Sequence, residues 1–194
     1  MARNKRELKE SYIVLVDGKS EIVYLNLIKT SNVKVLPEIP KKKSLQDMYK
    51  LFKSKLNEVD NIYWVIDLDV VIKENNLHIL KDYLKQYKDN IIINNPCLEY
   101  WFYLHYKSSG NFNNRCDDVI NALKKEDDFF RQYTKSVSDI EQVVELLESR
   151  LETAYTNAQN RQCNLEELLS CSQMDRLVKK LKRIITNETT NTKF

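Results

Sequence analysis

Two glycines and three prolines leave this 194-residue chain few backbone breakers, which argues against turn-dense all-β architectures and for long helices. Histidine is scarce as well: there are two, His78 and His105, and the four cysteines, Cys97, Cys116, Cys163 and Cys171, show no C-x-x-C spacing. A zinc site is therefore not expected, and the thiols are expected to be reduced. No apolar run is long enough to span a bilayer and no secretory or transit signal is visible, so the expected location is cytoplasmic, with no membrane partner. An excess of charge of one sign is also lacking. Lys+Arg 31 against Asp+Glu 28 gives +3, too little to define a polyanion-binding protein, so local clusters must carry any such reading. What is present is a content of 42% hydrophobic and 10% aromatic residues, enough for a substantial core.

The stretch Ile62 to Val71 organises the rest. Ile62-Tyr63-Trp64-Val65-Ile66 is short, β-branched and aromatic, which predicts a central strand buried on both faces. It ends in Asp67 and Asp69, one residue apart, and strand alternation projects both carboxylates to the same side. Two such charges about 5 Å apart repel by roughly 3 kcal/mol at an effective dielectric near 20, which calls for a compensating cation. Magnesium suits such a pair, because it takes one or two carboxylates, waters and substrate phosphates. The plainer reading is that Asp67 ends the strand and Asp69 begins a turn.

Upstream, Tyr12 to Val16 is a second buried strand, followed by Asp17-Gly18-Lys19-Ser20-Glu21 and a helical pattern through Ile28. Asp17 or Ser20 could cap that helix and Glu21 favour its first turn, or the acids could face the same ligand as Asp67 and Asp69. Val33 to Leu36 is a short strand. The Lys41-Lys42-Lys43 loop is either solvated or phosphate-binding, and Ser44 with Asp47 forms a capping pair for a helix to about Val59. A helix over Leu77 to Tyr87 and a strand at Ile91 to Ile93 complete a β-α-β-α-β-α-β order. That order predicts a parallel sheet of about four strands with helices on both faces and a ligand site at the carboxyl ends of the strands. There Asp17, Asp67, Asp69 and Asn94-Asn95 all fall.

Asn95 as cap and Pro96 at the first position open an almost wholly apolar helix carrying Glu99 and His105, each of which is either a satisfied core residue or part of the site. After a Ser/Asn/Gly loop, helical patterns occupy about Asp117 to Phe130, Asp139 to Ala158 and Met174 to Ile185, with no strand signal. The division expected is an α/β core over 11–106 and a helical extension packed on it over 107–186. In the final helix Arg176, Lys179, Lys180 and Arg183 fall on one face, either a solvated surface or a phosphate-backbone footprint.

Val16-Asp17-Gly18-Lys19-Ser20-Glu21 with Tyr24, then Val65-Ile66-Asp67-Leu68-Asp69, then Asn95-Pro96-Cys97-Leu98-Glu99-Tyr100-Trp101 ending at His105 resemble, in the same order, the three signatures of RloB-like proteins. The resemblance covers about Tyr12 to Tyr106, with an echo of the family's helical tail in Ala154 to Leu181. It implies a Toprim-like fold, the metal-binding module shared with topoisomerases, primases and OLD-type nucleases. It also implies a Mg²⁺- (or Mn²⁺-) dependent nuclease of bacterial antiphage defence, often encoded beside a companion ATPase. On that resemblance Asp67 and Asp69 hold the metal, Asp17 stands where the family usually has Glu, Glu21 is the second acid of the first motif, and Glu99 and His105 belong to the third. The expected partners are nucleic acid, RNA or DNA, and the companion ATPase, with self-association left open. Lys19, Lys41 to Lys43 and the Arg176 face are the candidates for holding the strand. A non-catalytic nucleic-acid-binding or regulatory subunit is the alternative.

Overall fold

Alternation of apolar side chains along short strands builds a five-stranded sheet in the computed structural model, which describes residues 10–38 and 43–181. Lys41, Lys42 and Arg183 lie outside the described residues. Strands β1 (Tyr12–Leu15), β2 (Val33–Leu36), β3 (Asn61–Asp67) and β4 (Ile91–Asn95) are parallel in the order β2-β1-β3-β4. Between them run α1 (Lys19–Ile28), α2 (Leu45–Lys55), α3 (Leu68–Lys73) and α4 (Leu77–Tyr87). Helices α5 (Leu98–Tyr103), α6 (Cys116–Glu126), α7 (Val137–Leu147) and α8 (Leu151–Gln159) follow, and a last helix, α9, covers 174–181.

The two sheet faces bury separate clusters. Ile62, Trp64 and Ile66 of β3 pack with Ile13, Leu15, Ile91 and Ile93 against Met48 and Phe52 of α2, Leu68 of α3 and Leu80 of α4. Their neighbours one residue along, Tyr63 and Val65, lie with Val14, Val35 and Ile92 against α1 and the helices from α5 onward. Covering both faces is why β3 reads as a continuous apolar run rather than an alternating one. Asp67, two residues beyond Val65, takes the second face, toward α1 and α5. Ser44 accepts a hydrogen bond from the Asp47 N–H at 3.1 Å and caps α2, as its sequence pattern predicts, although the helix ends at Lys55 rather than near Val59.

Four expectations are corrected. The central strand stops at Asp67, and Leu68, Asp69 and Val70 already belong to α3. The apolar residues Leu68 and Val71, three apart, both enter the α2/α4 face cluster, a helical spacing that overrides the period of two. Secondly, Asn95 does not cap α5. Its backbone pairs with Cys171 and its amide donates to the Leu168 and Leu169 carbonyls, each at 2.9 Å, so the helix starts after Cys97, beyond a cis Asn95–Pro96 bond. Thirdly, the tail does contribute a strand: β5 (Cys171–Ser172) adds antiparallel to β4. Fourthly, the cysteines are not free thiols, because Cys97 pairs with Cys116 and Cys163 with Cys171. Pairing across 19 and 8 residues leaves no local motif to read. Among the described residues no helix is long and apolar enough to cross a membrane.

The wholly buried helix α5 is tied to α1 by one polar contact inside the core, the Trp101 indole N–H donating to the Tyr24 hydroxyl at 2.7 Å. Tyr24→Phe strands that donor in apolar surroundings and should cost about 1–3 kcal/mol. In urea the unfolding midpoint should fall with an unchanged slope; an unchanged midpoint would show that the pair contributes nothing.

Candidate functional site

Three chain turns at the carboxyl edge of the sheet bring acids together. Asp17 follows β1, Asp67 ends β3, and Glu21 and Glu99 stand in the first turns of α1 and α5. Gly18 is the N-cap of α1, with no side-chain cap bond, so neither Asp17 nor Ser20 serves as the cap. A Cβ on Gly18 would lie 1.9 Å from Glu21 Oε2. Only glycine leaves room for the Glu21 carboxylate to fold back over the turn.

Asp67 is held from the other side. Its Oδ1 accepts from Asn94 Nδ2 and its Oδ2 from the Leu98 N–H, both at 3.2 Å. Asn94 is itself oriented by the Ser172 hydroxyl, donating at 2.7 Å from β5. Asp69, one residue into α3, has its N–H bonded to the Pro96 carbonyl at 3.1 Å. It is partly exposed, whereas Glu21, Asp67 and Glu99 are buried.

Burial and mutual repulsion set the charge state. Burial, then the field of Asp69 and Glu74, raises the Asp17 carboxyl to about 6. Burial, then the charges of Asp17 and Glu99, raises Glu21 to about 7, and Glu21 lies within hydrogen-bonding reach of Asp67. Asp67 is pushed well above the ordinary carboxylate range by burial and by Glu21, Asp17, Glu99 and Asp69. Two carboxyls in contact behave as a pair sharing a proton.

Glu99 is differently placed. Its Oε1 accepts from the Tyr133 hydroxyl at 3.0 Å and from Lys135 Nζ at 2.9 Å. Lys135 is partly exposed. Burial draws its amine down, but Glu99, Asp67 and Glu21 outweigh this and hold it above its ordinary value. Its charge also opposes the burial-driven rise of Asp69.

The donor set is oxygen, as a hard cation requires. Asp67 and Asp69, with Asp17 or Glu21, are the side chains that could hold one. They form a neighbourhood rather than a closed cage. Among the described residues the one trio of ligand atoms within 4.8 Å of one another is Cys97, Glu99 and Cys116, whose sulfurs are tied up in a disulfide. An open set that supplies one or two carboxylates and leaves room for water fits magnesium better than calcium or zinc.

Other expected residues lie elsewhere. His105 is buried at the far end of α5, its Nδ1 at 2.9 Å from the Trp101 carbonyl, beside a cavity of about 160 Å³ lined by Tyr24, Ile28 and Val178. It is not brought to the acids. Lys19 is exposed at the start of α1, and Lys43 lies in the loop between β2 and α2. The basic face of α9 runs toward the opposite edge. Arg176 bonds the Asp89 carbonyl at 3.3 Å, ahead of β4, and Lys180 donates to the Tyr63 hydroxyl. Tyr63 lies four residues before Asp67, about 13 Å at strand rise. Lys179 sits 4.5 Å from the Tyr155 ring centre.

Sequence reasoning missed Lys135 and Tyr133, and it missed Lys73 and Arg115, which line an open cleft of about 460 Å³ with Asp69, Asn114 and Asp117. Tyr133 lies 34 residues from Glu99 in a stretch of no regular pattern.

These features define an α/β protein with a carboxylate site at the carboxyl edge of a mainly parallel sheet. A family model described as RloB-like protein matches residues 12–181, and the chain belongs to that RloB-like family. Comparison with curated proteins gave no match, and comparison with solved structures gave none either.

The raised Glu21 carboxyl has a stability consequence. A folded value above the unfolded one favours the protonated protein. That contribution is complete below about pH 4.5, shrinks as pH rises, and is gone once pH passes about 7. In EDTA, Glu21→Gln should therefore melt higher than the parent at pH 8, by roughly 3 °C or more, and lose the advantage by pH 4.5. Equal melting temperatures at pH 8 would show that Glu21 carries no such strain.

Proposed function

We propose that the chain is a Mg²⁺- or Mn²⁺-dependent nuclease that hydrolyses phosphodiester bonds of RNA or DNA, a Toprim-like protein acting in the cytoplasm in bacterial antiphage defence. One observation carries this reading: Asp17, Glu21, Asp67 and Asp69 crowd one sheet edge with raised proton affinities, and the cation among them, Lys135, is bonded to a fifth acid, Glu99. Structural carboxylates are ordinarily placed where their charge is matched. Crowding acids beyond their counter-charge is the signature of a site that takes a cation.

A divalent ion, when bound, supplies Lewis acidity that acidifies water and offsets phosphate charge. The chain's own residues do the rest. Asp67 is fixed by Asn94 and the Leu98 N–H, so its direction is set before anything binds. Glu21 and Asp17, with values near 7 and 6, are suited to accept a proton near neutrality. Lys73 and Arg115, which line the cleft at Asp69, would steady a phosphate strand. Arg176, Lys179 and Lys180 take no part in that cleft.

A second reading has an observation of its own. Both Asp67 oxygens already accept hydrogen bonds, which suits a non-catalytic nucleic-acid-binding or regulatory subunit of a companion ATPase.

Purified protein incubated with mixed RNA and DNA should cleave with Mg²⁺ or Mn²⁺ and not with EDTA. Asp67→Asn and Asp69→Asn should each lower the rate about 100-fold or more while remaining folded. Salt-sensitive binding without turnover under every metal condition would select the second reading. The Asp17 series refines the site. Asp17→Asn should lose most of the activity, because no capping role preserves it, and Asp17→Glu should retain it. A fully active Asn variant would remove Asp17 from the machinery.

Metal affinity should follow the proton affinities. Carboxyls that must lose protons to bind give a Mn²⁺ affinity that rises as pH passes about 6 and about 7 and then levels. Calorimetric titration from pH 5.5 to 8.5 reads this directly, and a flat profile would exclude Asp17 and Glu21 from the ion's surroundings.

A further inference from the structure

Lys135 is held where its backbone would not otherwise go. Its φ is 63°, the left-handed region that a residue with a side chain enters at a cost unless its surroundings fix it. They do so here. Asp139 Oδ2 accepts from the Thr134 N–H at 2.7 Å, the Thr134 hydroxyl at 2.8 Å and the Ser136 N–H at 3.2 Å. Ser136 in return caps α7 in a capping box with Asp139. The segment is clamped on both sides of Lys135, and its product is one ammonium on Glu99 Oε1 at 2.9 Å and 3.3 Å from Cys116 Sγ.

Glu99 is thereby withdrawn from the ligand set. Its side chain is 1% exposed, Oε1 is shared by Lys135 and Tyr133, and Oε2 lies 3.1 Å from the disulfide sulfur of Cys116. The ammonium stands in the field of Asp67 and Glu21 as well, and its charge reaches Asp69. A divalent ion brought to Glu99 would meet a fixed positive charge and a carboxylate oxygen with two donors already on it. An ion among Asp67, Asp69 and Asp17 or Glu21 feels that charge too, but need not displace the Lys135–Glu99 pair.

We propose that Lys135 is the built-in counter-cation of the acidic site, a positioning residue that acts through Glu99 and takes the place a second divalent ion would otherwise have, so that the site holds one. This rests on the divalent-ion site proposed above and not on the nuclease reaction.

Calorimetry with Mn²⁺ at pH 8 on the purified full chain tests it, with thermal melting as the folding check. The parent should bind one ion per chain. Lys135→Met, which removes the ammonium from Glu99, should bind two, and Lys135→Arg and the Lys135→Met/Glu99→Gln double variant should each bind one. Should Lys135→Met not fold, Glu99→Gln decides. With the carboxylate gone, the ammonium is left facing the remaining ion, whose affinity should fall about tenfold, and the double variant, lacking both charges, should recover the parent's affinity. Two ions in the parent, a folded Lys135→Met that still binds one, or a Glu99→Gln affinity equal to the parent's would each overturn the proposal while leaving the ion site standing. Absence of any bound Mn²⁺ in the parent would overturn the ion site and this proposal together.

Discussion

Crowding of like charge is the constraint on which the site end of this molecule depends. Asp17, Glu21, Asp67, Asp69 and Glu99 are drawn to one edge by the topology itself, since β1 and β3 are neighbours and α1 and α5 leave the same edge. Each unit of like charge brought within about 5 Å costs on the order of 3 kcal/mol at a dielectric near 20, so the fold has to offset them individually. It does so by different means. Asn94 and the Leu98 N–H neutralise part of Asp67, Lys135 and Tyr133 take Glu99, and proximity to Asp67 lets Glu21 share a proton.

The chain after residue 106 supplies the offsets at Glu99 and supports the one at Asp67. Ser172, in β5, orients Asn94, which orients Asp67, while Tyr133 and Lys135 come from the segment before α7. Disulfides reinforce the same joints: Cys97–Cys116 ties the start of α5 to the start of α6, and Cys163–Cys171 closes the approach to β5. Val119, Leu123, Ile140, Val143 and Leu177 share one cluster with Val14 and Val65 of the sheet. The helices from α6 onward therefore complete the core on that face, and polar side chains that would be stranded without them are satisfied by them.

What could be read from sequence follows the range of the forces involved. Strand periodicity, the Ser44 cap and the gathering of Asp17, Asp67 and Asn94 at one sheet edge are local or topological, and the residue pattern carries them. The strand limit at Asp67 was legible only in the Leu68 and Val71 spacing, which competes with the alternation of Asp67 and Asp69. Lys135 was not legible at all, because it reaches Glu99 through a left-handed turn in another part of the chain. The cation row of α9 was visible, but its direction was not. That is set by the antiparallel pairing of Ser172 with Asn94, which sends the helix back along the sheet, where Arg176 and Lys180 find Asp89 and Tyr63.

The geometry of the first turn also bears on why Asp17 is shorter than the glutamate that the RloB-like signature leads one to expect. Asp17 sits at the mouth of the site, partly exposed and repelled by Asp69 and Glu74, and caps nothing. The inward reach is made one helical turn later by Glu21, whose carboxylate is folded over Gly18 and touches the surroundings of Asp67. Because Glu21 makes that reach, Asp17 need not extend to the strand end itself. The two acids therefore act at different depths. Asp17, the shorter, keeps the entrance negative, and Glu21, the longer, reaches toward the strand end by folding over Gly18, where a side chain would displace its carboxylate.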